Sequence, residues 1–291
     1  FALLKNTDDK FFTFEEYEKL IRENQTDKNK TLVYLYSTNK TDQFAYIEKA
    51  RNKGYDVLNL DGQLDIHLIN HLETKFKDSR FVRVDSDVIE KLIPREEARE
   101  SKLTPAQQED MRSVFNIRLV SKEIYNVTPE ALDENDSPVI ITQSEFMRRM
   151  KEMSALGGGM NFYGELPDSY NLVVNLNHPL VVRIAEDVNT ELGTKLQENN
   201  SERERVKEQV EFMEKDQAKK KAEEISQVEK DDLEKLRKEL ETIETARKEL
   251  LEGFGTGNKV VKQLIDLALL SNNMLRGEDL STFVKRSVEL L

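Results

Sequence analysis

The sequence predicts a small three-layer α/β subdomain followed by an α+β domain that carries a long, coiled-coil-like helical insertion. Three observations lead there. Over the first 85 or so residues, compact apolar runs alternate with segments of helical spacing. Within an insertion placed at about 189–257, the chain from Ser201 to Glu252 is mostly Glu, Lys, Arg and Gln. The last stretch, NKVVKQLIDLALLSNNMLRGEDLSTFVKRSVELL from Asn258 to Leu291, is apolar on too many sides for one exposed helix.

The first subdomain is placed at 1–88. Thr13 and Glu16 have capping-box spacing ahead of a helix through Tyr17, Leu20 and Ile21. Leu32 to Ser37 and Tyr55 to Leu60 are compact enough to be buried strands, and Phe81 to Val84 is a third. Helical spacing at Phe44, Ile47 and Ala50 fills the first gap, ended by Gly54, and Leu64, Leu68 and Leu72 fill the second. Strands alternating with helices imply a small parallel sheet covered on its faces.

Residues 89–103 are charged, contain Pro94 and read as a linker. The second domain, 104–291, opens with Thr104-Pro105-Ala106-Gln107, a cap, a first-turn proline and a completing glutamine. Strand propensity follows at Phe115 to Val127, Val139 to Thr142 and Leu172 to Leu176, with a polar, turn-rich stretch at Thr128 to Ser137. Helical pattern begins at Pro179, and Ser201 with Glu204 reads as a further capping box. Leu233, Leu236, Leu240, Ile243 and Leu250, with Val206, Val210 and Met213, give a heptad-like seam for a projecting hairpin or coiled coil. Gly253, Gly255 and Gly257 mark its end as a flexible joint. Beyond it, Gly277 separates two apolar helices, the second capped by Asp279 or Ser281. Two such helices either cover the core of their own domain or bury their surface economically against a second copy, in a four-helix bundle about a two-fold axis, and the second is the expectation taken here. Val260, Val261, Leu264, Leu267, Leu270, Leu280, Phe283 and Val284 are the candidate interface residues, which makes this an α+β dimerisation domain.

Composition narrows the function. The net charge of −12 argues against nucleic-acid binding, which needs local positive charge. No apolar run approaches the ~20 residues of a membrane span. The absence of cysteine fits a reducing cytosol. The chain begins inside an apolar run without an initiator Met and reads as part of a longer protein. His67 and His71 have the spacing of two metal ligands on a helix, but Leu68 stands where a zinc protease has Glu, so ordinary surface histidines are expected. GFGTGNK at 253–259 lacks phosphate-loop spacing. No nucleophile–base arrangement emerges, so no catalytic residue, cofactor or metal is assigned to this chain.

The stretch QSEFMRRMKEMSALGGGMNFYGELP, Gln143 to Pro167, is different in kind. Phe146, Met147, Met150 and Met153 lie at helical spacing, and Met160 and Phe162 follow three consecutive glycines. Such a face either packs into the domain's own core or, because the thioether side chain is flexible and polarisable, suits varied apolar partners; the adjoining glycines favour the second.

Taken together, FFTFEEYEKLIRENQ, LVYLYSTNK, YIEKARNKGYDVLNLDGQLD, FVRVDSD, QSEFMRRMKEM, NLNHPLV at Asn175–Val181 and the terminal stretch resemble the heat-shock protein 90 chaperones of the bacterial HtpG branch. The resemblance implies the end of a middle domain plus a C-terminal dimerisation domain. It implies a homodimeric, ATP-dependent chaperone of the cytoplasm that binds partly folded client proteins. It places ATP and Mg in a domain ahead of Phe1, and it makes Phe146, Met147, Met150 and Met153 client-contacting positions. The charged block is longer than most relatives carry, and a coiled-coil structural scaffold built on 201–252 is the alternative reading.

Overall fold

Leu32–Ser37 (β3) is buried at every residue, because a central parallel strand is covered on both faces. In the computed structural model, which describes residues 3–62, 65–94, 99–117, 124–156, 168–220 and 225–290, it pairs in parallel with Val57–Asn59 (β4) and Ser79–Arg83 (β5), in the order β4-β3-β5. Its side chains alternate between two cores. Tyr34 and Tyr36 pack with Tyr17 and Ile21 of Phe14–Ile21 (α1) and with Ile69 and Leu72 of Asp65–Lys75 (α3). Val33 and Leu35 face Ile47 and Ala50 of Phe44–Asn52 (α2) and Ile89 and Leu92 of Ile89–Leu92 (α4). The Thr13–Glu16 capping box forms, and a short antiparallel pair, Leu4–Lys5 (β1) with Phe11–Phe12 (β2), precedes it.

The chain divides into two compact units, the first comprising 1–102, 119–178 and 263–291 and the second 103–118 and 179–262. The segment 104–291 thus contributes to both. The first unit adds a mixed sheet in which Ser169–Asn175 (β8) lies between Ile124–Glu130 (β6, parallel) and Val139–Thr142 (β7, antiparallel). The strand expected at Phe115 to Val127 is only partly that. Pro105–Phe115 is helix (α5), started by the Thr104–Gln107 box, and the strand runs instead through residues expected to turn, to Glu130. After β7 comes Glu145–Leu156 (α6).

The second unit is helical: α5, Pro179–Gln217 (α7) and Gln227–Gly257 (α8). At 1.5 Å per residue, α7 is roughly 58 Å long. Val206 and Val210 of α7 pack with Leu233 and Ile243 of α8, flanked by Met213, Leu236 and Leu240, so the seam closes into a hairpin. Ser201 starts no helix. It lies within α7, its hydroxyl donating to the Gln197 carbonyl, and the capping box that heads the return helix is Ser226 with Glu229. The expected joint at Gly253 to Gly257 is the end of α8 itself. Gly255 is buried there because a Cβ would sit 1.9 Å from the Val114 carbonyl oxygen of α5. Asp110 of α5 and Arg247 of α8 form a largely buried ion pair at 2.6 Å.

Lys259–Ser271 (α9) and Gly277–Leu290 (α10) end the chain. The second of these helices starts two residues ahead of Asp279, at a glycine whose positive φ turns the chain into it.

Candidate interaction surface

The sequence EFMRRM at the start of α6 places Glu145, Arg148 and Arg149 at i, i+3 and i+4, on one face. In an ordinary surface helix this charged stripe faces water and the apolar stripe faces the core. Here the order is reversed. Arg148 is only 4% exposed, whereas Phe146 is 68% and Met147 42% exposed. Met150 is half-buried. Met153 lies in α6 beyond the side chains described, and Met160 and Phe162 lie outside the described residues.

The inward stripe is held by a connected polar network within the first unit. Glu145 Oε1 accepts from the Tyr36 hydroxyl at 2.9 Å, Arg148 Nη2 at 2.7 Å and Arg149 Nε at 2.6 Å. Its other oxygen accepts from the Arg83 backbone N–H at 3.3 Å. Arg149 also donates to Glu73 of α3 at 2.8 Å and to the Phe81 carbonyl of β5 at 2.7 Å. Arg148 donates to the Tyr36 hydroxyl at 2.6 Å. The entry to the helix is tied down as well, since Gln143 N–H donates to the Asp85 carbonyl.

Electrostatics follow from this geometry. Burial pushes the Glu145 carboxyl up, but the charges of Arg148 and Arg149 and the hydrogen bonds from Arg149 and Tyr36 outweigh it, leaving the group below its ordinary value. Burial disfavours the Arg149 charge, yet Glu73 and Glu145 more than compensate and hold the guanidinium protonated. Burial, then the Glu145 charge, raises the Tyr36 hydroxyl. Burying ions carries a desolvation cost, and leaving a large apolar side chain in water forgoes roughly 1.5–3 kcal/mol. Stability alone selects neither arrangement, so the outward apolar face is a candidate contact surface.

The terminal helices present a second apolar surface. Gln263 of α9 donates to Ser287 of α10 at 2.7 Å, and Arg286 pairs with Asp266, which holds the helices side by side. Of the candidate interface residues, Val261, Leu264 and Phe283 are buried within the chain itself, and Val260 and Leu280 are half-buried. Leu267, Leu270 and Val284 are exposed, and Val288 is exposed too at 69%. Leu267 also lines a cavity of about 240 Å³ with Leu264, Ala268, Tyr46, Pro138 and Ile140.

His67 and His71 are both exposed, and among the described residues no group of three or more His, Cys, Asp or Glu is placed to hold a metal. The glycine-rich stretch at 253–257 does not fit a nucleotide phosphate. It is helical, and its central glycine lies against the Val114 backbone. No described helix is long and apolar enough to cross a membrane.

The residues anchoring α6 escaped the sequence reading. The i, i+3, i+4 spacing of Glu145, Arg148 and Arg149 was visible, but their partners Tyr36, Glu73, Phe81 and Arg83 come from elements distant in sequence.

Comparison with known proteins gives a consistent result. The chain is 50% identical over 293 aligned residues to a chaperone protein HtpG of Bacteroides fragilis (strain YCH46), 46% to that of Bacteroides thetaiotaomicron and 40% to that of Porphyromonas gingivalis (strain W83). In each case all of this chain is covered, and it spans 43% of the relative's length. The model of the Hsp90 protein family matches residues 3–202. With most of its length inside that match, the chain belongs to the Hsp90 family.

Proposed function

We propose that this chain is the client-holding and dimerising part of an ATP-dependent HtpG-type chaperone of the bacterial cytoplasm. The observation that carries the reading is the reversed amphipathicity of α6, with its charged stripe buried and Phe146 and Met147 exposed. A helix anchored this way offers apolar contact without losing its own fold. Partly folded proteins, with apolar segments not yet buried, are the partners such a face suits. Its methionines tolerate varied sequences.

Leu270, Val284 and Val288 on α9 and α10 supply an apolar strip for a second copy. Dimerisation brings two weak client faces together and raises their joint avidity through effective concentration. The nucleotide step of such a chaperone is assigned to the part of the whole protein that this chain, at 43% of its relatives' length, does not span. A coiled-coil scaffold built on 201–252 is disfavoured, because the seam it would offer a partner is closed between α7 and α8.

Aggregation of a thermally unfolding reporter protein tests the client face. Phe146→Ser with Met147→Ser should weaken suppression severalfold while light scattering still reports a doubled mass; undiminished suppression removes the assignment. Val288→Asp should give the single-chain mass, since an interface cannot bury an unpaired carboxylate cheaply. A dimer that persists in this variant places the contact elsewhere.

A further inference from the structure

The apolar face of α6 needs something to keep it outward. Left to the hydrophobic effect alone, a helix carrying Phe146 and Met147 would turn that face onto the nearest apolar surface. In this molecule the opposite side is held at several points. Glu145 is the shared acceptor of Tyr36 from β3, of Arg148 and Arg149 from its own helix, and of the Arg83 N–H at the end of β5. Arg149 then reaches Glu73 on α3 through two nitrogens, at 2.8 and 3.3 Å, and the Phe81 carbonyl on β5. The Arg148 guanidinium lies 6.0 Å from the Tyr36 ring centre. Three elements of the parallel-sheet layer thus hold one stripe of the helix.

We propose that Glu145, Arg149 and Glu73 are positioning residues that fix the rotation of α6, so that the outward apolar face depends on this ionic network and not on packing. The proposal rests on the reading of that face as the client contact. Buried ionic groups add little net stability, but they penalise strongly any arrangement that leaves one unpaired. A rotated α6 would give Arg148 and Arg149 to water but leave the part-buried Glu73 carboxylate, the Phe81 carbonyl and the Tyr36 hydroxyl without their donors and acceptor, so the network favours the orientation seen. Neutralising Glu145 removes that selection.

Two readouts test this. The first is a Phe146→Trp chain, whose single tryptophan should emit at long wavelength and be quenched readily by acrylamide. In that background Glu145→Gln and Glu73→Gln should shift emission to the blue and reduce quenching, as the face turns in. Tyr36→Phe, which deletes one hydroxyl at constant shape, should move both in the same direction by less. The second readout is affinity for reduced, carboxymethylated α-lactalbumin, a permanently unfolded probe. Glu145→Gln should weaken it about tenfold, equivalent to about 1.4 kcal/mol, with dimer mass unchanged. Glu145→Asp, which keeps the charge, should recover part of both signals. If Glu145→Gln leaves the tryptophan spectrum unchanged, the proposal is overturned, whatever the affinity does. A shifted spectrum with unaltered probe affinity upholds the positioning role and instead overturns the client reading. Because the spectral arm reads orientation directly, a variant that merely unfolds is recognised by loss of its cooperative melt, and Tyr36→Phe then decides.

Discussion

The α7–α8 hairpin and α6 solve the same problem in opposite ways. Both are amphipathic helices with abundant charge. In the hairpin, Val206, Val210, Leu233 and Ile243 face one another and the charges stay in water, bridged loosely by pairs such as Arg205–Glu239 and Arg237–Glu214. In α6 the charges go in and Phe146 and Met147 go out. On the function proposed above, the difference separates a helix whose pattern serves its own folding from one whose pattern serves a partner. Amphipathicity alone does not distinguish them; the side on which the charge is buried does.

The comparison is broken most strongly at the hairpin seam. Leu233→Ala deletes a buried side chain and should cost about 2–5 kcal/mol of second-unit stability, read by chemical denaturation, with no effect on unfolded-probe affinity. Gly255→Ala comes next. Alanine is the better helix former by about 1 kcal/mol, but its methyl would lie 1.9 Å from the Val114 oxygen, so α5 must move. The clash should win, with a net loss of about 1–3 kcal/mol and faster amide exchange in α5. A stabilised Gly255→Ala would mean that α5 and α8 do not approach this closely.

Acid should act on α6 instead. The folded-state value of the Glu145 carboxyl is depressed below its ordinary 4.5, so its contribution is complete above that value and drains as pH falls through the lower one. The tryptophan of the Phe146→Trp chain should therefore turn blue-shifted only below about pH 4.5. The smallest effect expected is on stability itself. Phe146→Ser alters an exposed side chain and should change the melting free energy by less than about 0.5 kcal/mol, even as probe binding falls. A large loss of stability would make Phe146 a core residue.

Local signals carried much of this structure. The capping boxes at Thr13 and Thr104, the buried run LVYLYS and the valine–leucine seam of the hairpin each depend on residues close in sequence or on simple periodicity. What escaped depended on distant partners. Gly255 looked like a hinge because the reason for a glycine there, the Val114 carbonyl, lies on another helix. The hairpin turn has no glycine or proline to mark it; Ser226 with Glu229 was the available signal, and Ser201 with Glu204 had the same spacing without the role. At the site, the apolar stripe of α6 was legible as a stripe. That it faces outward followed only from the family resemblance and not from the spacing, because its orientation is set by Tyr36, Glu73 and Arg83 from the sheet layer.

Phe212 on α7 offers a sharp control, since at 72% exposure it is as open as Phe146 yet stands on a charged helix face with its seam already closed. It lines an open pocket with Met213 and Leu236, so it tests whether an exposed aromatic beside apolar neighbours is enough to bind the probe. The most direct measurement is to place the photo-crosslinker p-benzoylphenylalanine at position 146 or at position 212 and irradiate each chain with carboxymethylated α-lactalbumin. The account predicts that position 146 captures the probe and position 212 does not. Capture at 212 with none at 146 would contradict it and move the client surface to the hairpin.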